Sequence, residues 1–361
     1  MQKVIFSEIS KNLLSQKVLD SYCANRQWLQ KLLSDFKLKN VDTGTNSPIV
    51  LLYGSVVSGT SFAQGDADFA VAFPKYTTEL CSSNKGSFHE INHDDQVLVL
   101  SDILEHVREK WSFEYSKPHR VFLARVPIIE YVKKMNGENF KFDLSLSLYG
   151  VMNSLLVRRY MEIEPRLHLG ALCVKHWGKK MKLINPRNGW ISAYSLTILY
   201  IFFMIRTGRI NDFIDESEVQ AKIQTLTINS HHSENELNSI PEFTTVLPLQ
   251  ECDVDTVIHD IFDFFRFYGD TSFFNFDVNV VDIRKNDTLQ NKDEWLSKLD
   301  KTNAKERWDL LGYENIMIRD PFEEHNLARS VEFFRGETIR EAFRTSFSKK
   351  DPLKFLYDIV R

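Results

Sequence analysis

The side chains with the clearest chemical potential in this chain are carboxylates at fixed spacing. A short apolar run, Ile49 to Tyr53, ends at Gly54-Ser55, and after ten intervening residues Asp66-Ala67-Asp68 leads into a second run, Phe69 to Phe73. On an extended segment residues i and i+2 share a face, so Asp66 and Asp68 point one way while Ala67 points into the core. Two carboxylates that close repel each other unless cations lie between them. The pair is therefore a cradle for two Mg²⁺ ions, or Mn²⁺ in their place, held ~3.5–4 Å apart. A third carboxylate is needed beside the cation that activates an attacking hydroxyl. Asp143 suits that place, because Phe142, Leu144, Leu146 and Leu148 alternate around it as on a strand. Gly54-Ser55 supplies a turn without a bulky side chain, where backbone N–H groups and the Ser55 hydroxyl can hold triphosphate oxygens.

These residues need elements to position them. The apolar runs predict strands at 49–53, 69–73, within 121–132 and at 140–148, with a helix starting near Val97. Leu14, Val18, Trp28, Leu29, Leu32, Leu33 and Phe36 recur at near-helical spacing, which predicts an amphipathic helix within 11–38, stopped near Asn40 and followed by a linker at 42–47. Beyond Gly150 the pattern becomes helical, at 153–161, 167–181, 192–204 and 255–268. From Arg335 a further helix carries Phe343 and Phe347, and Pro352 begins a short last one. The expected class is α+β. A catalytic domain with a mixed sheet flanked by helices spans 43–149, and a mainly helical second domain comprises 1–42 and 150–361, with the active site in the cleft between them.

Composition narrows the class of protein. At 361 residues and 43% hydrophobic content the chain can build two cores. Cys23, Cys81, Cys173 and Cys252 lie far apart, which suggests neither a disulfide framework nor a zinc ribbon, and the chain reads as intracellular. The longest apolar run, Leu196 to Ile205, is about half the ~20 residues of a membrane span, and no signal-peptide pattern stands at the start. The net charge of -4 is unevenly spread. Residues 157–187 carry eight Lys or Arg against Glu162 and Glu164, whereas 209–260 carry eleven acidic residues against Arg209 and Lys222. A polyanion is drawn to the first segment and repelled by the second. The acidic stretch 209–256 reads as an insertion in the second domain with some structure of its own.

Gly54-Ser55, Asp66-Ala67-Asp68 and Asp143 resemble the signature of the polymerase-β nucleotidyltransferases, in the form found in noncanonical poly(A) polymerases and terminal uridylyltransferases. Further segments are similar to the same family: Ala124 to Ile129 before the third Asp, Gly150 to Leu156, Val174 to Lys180, Ile191 to Leu196, and Asp320-Pro321-Phe322-Glu323. The resemblance spans about 48 to 335, with 209–256 unmatched. It implies that Asn153, with Ser154 beside it, meets the ribose, that Lys175 and Lys179 hold the triphosphate, and that Tyr194 stacks on the base. It further implies that Asp320 and Glu323 contact the base edge and that His325 favours UTP by crowding a purine, although His325 stands one residue closer to the motif than in those relatives. Ala193 replaces a serine that touches the triphosphate in relatives, and Ser192 or Ser195 would substitute. Taken alone, the residues leave other roles open: a solvated helix face for Lys175 and Lys179, a core position for Tyr194, a helix cap for Asn153 and the surface for His325.

The lack of a large insertion between Asp68 and Asp143 makes the chain most similar to compact trypanosomatid uridylyltransferases of mitochondrial, editosome-like complexes. That resemblance implies transfer of UMP from UTP to an RNA 3′ end, a mitochondrial address, protein partners and no membrane attachment, with the acidic stretch a bridging element or partner surface. Without an RRM, KH or zinc-knuckle pattern, contact with only a few 3′-terminal nucleotides is expected. Three rivals stand beside this reading. A poly(A) polymerase shares the metal site, a silent RNA-binding scaffold would commonly lose one of the aspartates, and a small-molecule nucleotidyltransferase would lack the downstream motifs.

Overall fold

The computed structural model describes residues 2–38, 48–63, 65–73, 92–112, 114–135, 138–210, 214–228, 240–284, 289–298 and 304–360. The linker at 42–47 and residues 229–239 of the acidic stretch lie outside these. The chain forms two compact units, one of residues 13–159 and 215–248 and the other of 1–12, 160–214 and 249–361. This division differs from the expected 43–149. The sheet unit takes in the helix at 16–32, the first part of the helix after Leu148, and much of the acidic stretch.

The helix expected within 11–38 is α2 (Gln16–Leu32), and a further helix that was not expected, α1 (Gln2–Lys11), precedes it. Ser15 sets the start of α2: it is extended and its hydroxyl accepts from Val18 N, as an N-cap does. α2 packs on a five-stranded sheet of β1 (Ile49–Tyr53), β2 (Ala67–Ala72), β3 (His119–Val121), β4 (Ile128–Met135) and β5 (Glu138–Ser145), in the order β1-β2-β5-β4-β3. Four strands were expected. β3 is short and solvent-facing, so it lacks the apolar pattern that marks the others. The β2–β5 pair is parallel and the remaining pairs are antiparallel. Helix α3 (His93–Val107) begins at its Asn92 cap, four residues ahead of Val97.

Aromatic rings fill the interior of this unit. Phe142 stacks between Phe69 and Tyr131, with centroids at 5.9 and 5.2 Å, and Tyr22 meets it edge-on at 5.7 Å. The outer edge of β1 is closed by side chains of α2. The Gln30 amide donates to Pro48 O at 2.7 Å and accepts from Val50 N at 2.8 Å, while Arg26 donates to Val50 O at 3.2 Å.

The second unit is mainly helical, as expected. Its framework is the end of α4 (Leu148–Ile163), then α5 (Pro165–Lys180) and α6 (Ala193–Arg206). The acidic stretch contributes α7 (Glu216–Ile228) and the single turn α8 (Pro241–Thr244) to the sheet unit, after which α9 (Val254–Gly269) returns to the helical one. Two short strands, β6 (Asn279–Val280) and β7 (Gln290–Asn291), then precede helices α10 (Lys292–Lys298) and α11 (Ala304–Leu311). Val280, Trp295, Leu311 and Met317 bury themselves completely as a small core there, which no apolar run announces. Helices α12 (Phe333–Phe347) and α13 (Pro352–Val360) complete the chain. α12 packs on α9, and Trp177 of α5 lies against Phe265 and Phe343 at 4.8 and 5.2 Å, its indole donating to Ser346 Oγ. Among the described residues no helix is long and apolar enough to cross a membrane.

Candidate active site

Backbone register places the carboxylates of the sheet. β2 and β5 run parallel with Asp68 and Asp143 as direct partners, so the two side chains leave the same face. Asp66 stands exposed two residues ahead of Asp68, just before β2 begins. Like charges directly opposite across a ladder destabilise a sheet. Divalent cations would relieve that cost, and an all-oxygen donor set suits Mg²⁺ or Mn²⁺. The register adds a residue the sequence reading missed: Asp143 is also paired with Glu130 of β4, so carboxylates from three neighbouring strands form one row. Only the pairing of β4 with β5 reveals it.

The Gly54 turn abuts this row. Gly54 has φ +77, and a Cβ built there would lie 2.0 Å from Asp68 Oδ2. No other residue fits, for both reasons. Its N–H donates to Ser154 Oγ at 2.7 Å, and Ser154 in turn donates to Gly150 O at 2.6 Å. Ser154 is thus tied to the turn expected to hold phosphates, one residue from Asn153. Asn153 lies in the second turn of α4, which excludes the helix-cap role. Beside Asp66, the Tyr22 hydroxyl donates to Gly65 O at 2.7 Å, and burial followed by the Asp66 charge raises its pKa.

The remaining expected residues belong to the helical unit. Lys175 and Lys179 share a face of α5, but Lys175 is buried and Lys179 exposed. His176 between them has its pKa lowered by burial and then by Lys179 and Lys180. Ser192 is the N-cap of α6, accepting from Ser195 N at 2.9 Å, and the Ser195 hydroxyl donates to Leu327 O at 3.1 Å. Both serines therefore have structural work at the start of α6. The basic stretch 157–187 is likewise partly consumed: Arg158 is buried against backbone carbonyls, Arg166 pairs with Glu164, and Lys180 donates to Asp358 O.

Tyr194, Asp320, Glu323 and His325 do come together. The Tyr194 hydroxyl is buried with no hydrogen-bond partner among the described residues, and its pKa is raised by burial, then by the charges of Asp320 and Glu323. His325 is buried too, with Nδ1 3.5 Å from Glu323 Oε2 and 3.9 Å from Asp320 Oδ2, which corrects the surface alternative. Ligand atoms of Asp320, Glu323 and His325 lie within 4.8 Å of one another, a set able to accept a cation. Asp320 Oδ1 already accepts from Phe322 N and Glu323 N, so it holds the turn. Asn326, next to His325, is the keystone. Fully buried, it accepts from Ile318 N and Ala328 N and donates to Leu311 O and Ile316 O, each at 3.0 Å.

Two family models match the chain: the mitochondrial-like poly(A) RNA polymerase central palm domain over residues 2–162, and the Cid1 family poly A polymerase over 261–326. Poly(A) RNA polymerase GLD2 of Danio rerio is 24% identical over 341 residues, 92% of this chain and 61% of its own length. The chain thus spans about three-fifths of that relative. Terminal uridylyltransferase 1 of Trypanosoma brucei brucei is 30% identical over 89 residues, 25% of this chain and 9% of its own. The solved terminal uridylyl transferase 4 from Trypanosoma brucei with bound dUTP superposes with a TM-score of 0.67 at 18% identity, over 92% of this chain and 97% of that one. Similarity along nearly the whole sequence is therefore to a poly(A) polymerase, and the expected special likeness to one kind of trypanosomatid uridylyltransferase is replaced by a broader one. The mixed five-stranded sheet with flanking helices, its aligned aspartates and the helical unit together make this a nucleotidyltransferase fold of the polymerase-β type.

Proposed function

We propose that this chain is a terminal RNA nucleotidyltransferase that adds UMP from UTP to the 3′-hydroxyl of RNA without a template. The observation that carries the reading is the parallel register of Asp68 with Asp143, with Gly54 against the Asp68 carboxylate. Asp66, Asp68 and Asp143 would hold divalent cations, whose chemistry is to lower the pKa of the attacking hydroxyl and to neutralise phosphate charge. The Gly54-Ser55 turn orients the triphosphate, and Lys175 and Lys179 add positive charge to it. The 3′-oxygen bonds to the α-phosphorus, the bond to the bridging oxygen of the β-phosphate breaks, and pyrophosphate leaves, so no covalent enzyme intermediate is needed.

Uracil offers N3–H as a donor between two carbonyl acceptors. Glu323 supplies an acceptor for N3–H, directly or through an ordered water, Asn153 donates to O2, and Tyr194 supports the ring. Asp320 shapes this pocket through its hydrogen bonds to the turn. A second reading, poly(A) polymerase, is favoured by the GLD2 relative and differs only in the base pocket. Labelled RNA incubated with each of the four nucleotides separately decides between them. Extension with UTP well above ATP supports the first reading, the reverse supports the second, and no extension with any nucleotide overturns both.

A further inference from the structure

The segment that follows the middle of the acidic stretch is anchored to the nucleotide turn. Arg158, on α4, is buried, and its guanidinium donates to Val57 O at 3.2 Å, Glu242 O at 3.3 Å and Thr245 O at 3.3 Å. Val57 belongs to the turn that starts at Gly54, and Glu242 and Thr245 belong to α8 and the chain after it. Ser154, four residues earlier on the same helix face, holds the start of that turn through Gly54 N. Gly59, with φ +77, closes the turn against Leu247, which lies where a Cβ would sit, at 2.6 Å. On its other side the 241–248 strap is held by α2. Gln16 donates to Thr244 O at 2.8 Å and accepts from Val246 N at 3.0 Å, and the Cys23 thiol reaches Phe243 O.

From this arrangement we infer that residues 241–248 are a brace that sets the geometry of the Gly54–Thr60 turn, with Arg158 as the positioning residue that couples them. The inference rests on the reading of that turn as a triphosphate site. Nη1 has only two hydrogens, enough for Val57 O and Glu242 O, and Nη2 reaches Thr245 O at 3.4 Å, so the three carbonyls are shared between two nitrogens of one planar fork, which the single nitrogen of a lysine on its flexible stem does not reproduce. Coupling of this kind is reciprocal: if the strap supports the turn, a ligand on the turn must steady the strap. Anything that grips α7, whose Lys222 pairs with Glu242, would then alter nucleotide affinity through the strap.

The test compares wild type with Arg158→Lys and Leu247→Ala in the full chain. Amide exchange is followed with and without Mg²⁺ and UTP or ATP, whichever the enzyme uses, alongside KM for that nucleotide and for the RNA. Expected for the wild type is slower exchange both in 54–60 and in 243–248 on nucleotide binding. In Arg158→Lys the strap loses this protection and the nucleotide KM rises about 5-fold or more, with the RNA KM unchanged; Leu247→Ala moves the same quantities in the same direction. Protection of 54–60 with none at 243–248 in the wild type, or an unaltered nucleotide KM in both variants, overturns the brace alone. Protection at neither segment overturns both the brace and the assignment of the turn.

Discussion

The aspartates of the sheet and the carboxylate-histidine turn at 320–326 are positioned by different means. Asp68 and Asp143 stand together because two strands pair in one register, so the backbone ladder does the positioning. At 320–326 the ladder shrinks to one isolated bridge, Arg319 with Asn326, and a bond from Asp320 N to His325 O at 3.0 Å, and side chains add the rest. Asp320 holds Phe322 N and Glu323 N, Asn326 holds four backbone groups, and Glu324 accepts from the Trp295 indole. A site built on a ladder can lose a carboxylate without losing its shape, whereas a site built from side-chain bonds to backbone cannot.

The sharpest way to break this contrast is Asp68→Asn or Asp143→Asn. Nucleotide transfer should fall by at least about 10²–10³-fold, while the urea midpoint stays put or rises, since a repelling pair has been relieved. Substantial residual transfer with either variant would remove the sheet from the mechanism. The counterpart on the turn is Asn326→Ala, which strips partners from buried backbone groups. A loss of about 3 kcal/mol of unfolding free energy is expected, read by denaturant titration, and a loss under about 1 kcal/mol would show that the turn does not depend on it.

A smaller effect separates shape from recognition. Glu323 is partly exposed, whereas Asp320 is buried. Glu323→Gln should leave the unfolding midpoint almost unchanged while altering the ratio of UTP to ATP utilisation by about 10-fold. A constant ratio would move base selection away from this residue. The smallest effect concerns His176, whose pKa burial and the nearby Lys179 and Lys180 hold below the ordinary value. Below a pH of about 6.5 the unfolded chain then binds more protons than the folded one. The associated stability is complete above that pH, declines as pH falls through it and levels off below the folded pKa. His176→Gln should flatten that part of the stability profile. Triphosphate bound by Lys175 and Lys179 should raise the His176 pKa in an NMR titration, and no movement would make that face of α5 a packing surface only.

How much of this was legible in the sequence follows the same division. Strand residues announce themselves by alternation, so β1, β2, β5 and the row of Asp66, Asp68 and Asp143 were readable from spacing. Glu130 was not, because its place beside Asp143 depends on the antiparallel pairing of β4. α1 was not expected, because ten residues give the apolar side chains too few turns to show a helical period. The second unit gave up its long helices readily but not the β6–β7 segment, whose strands are two residues each. Arg158 and Asn326 illustrate the deeper limit. The first fell in a stretch read as drawing a polyanion and the second carried no reading at all, yet both act on backbone groups that no residue type reveals.

Gln30 carries a consequence of another kind. A sheet edge with free N–H and C=O groups is an invitation to any passing strand, and proteins blunt such edges with charge, proline or a covering segment. Here one side-chain amide, offering a donor and an acceptor on the same carbon, imitates the missing strand for Pro48 N-terminal to β1 and for Val50 within it, and Arg26 takes the Val50 carbonyl. A strand arriving at that edge would have to displace two side chains of α2 before it could pair.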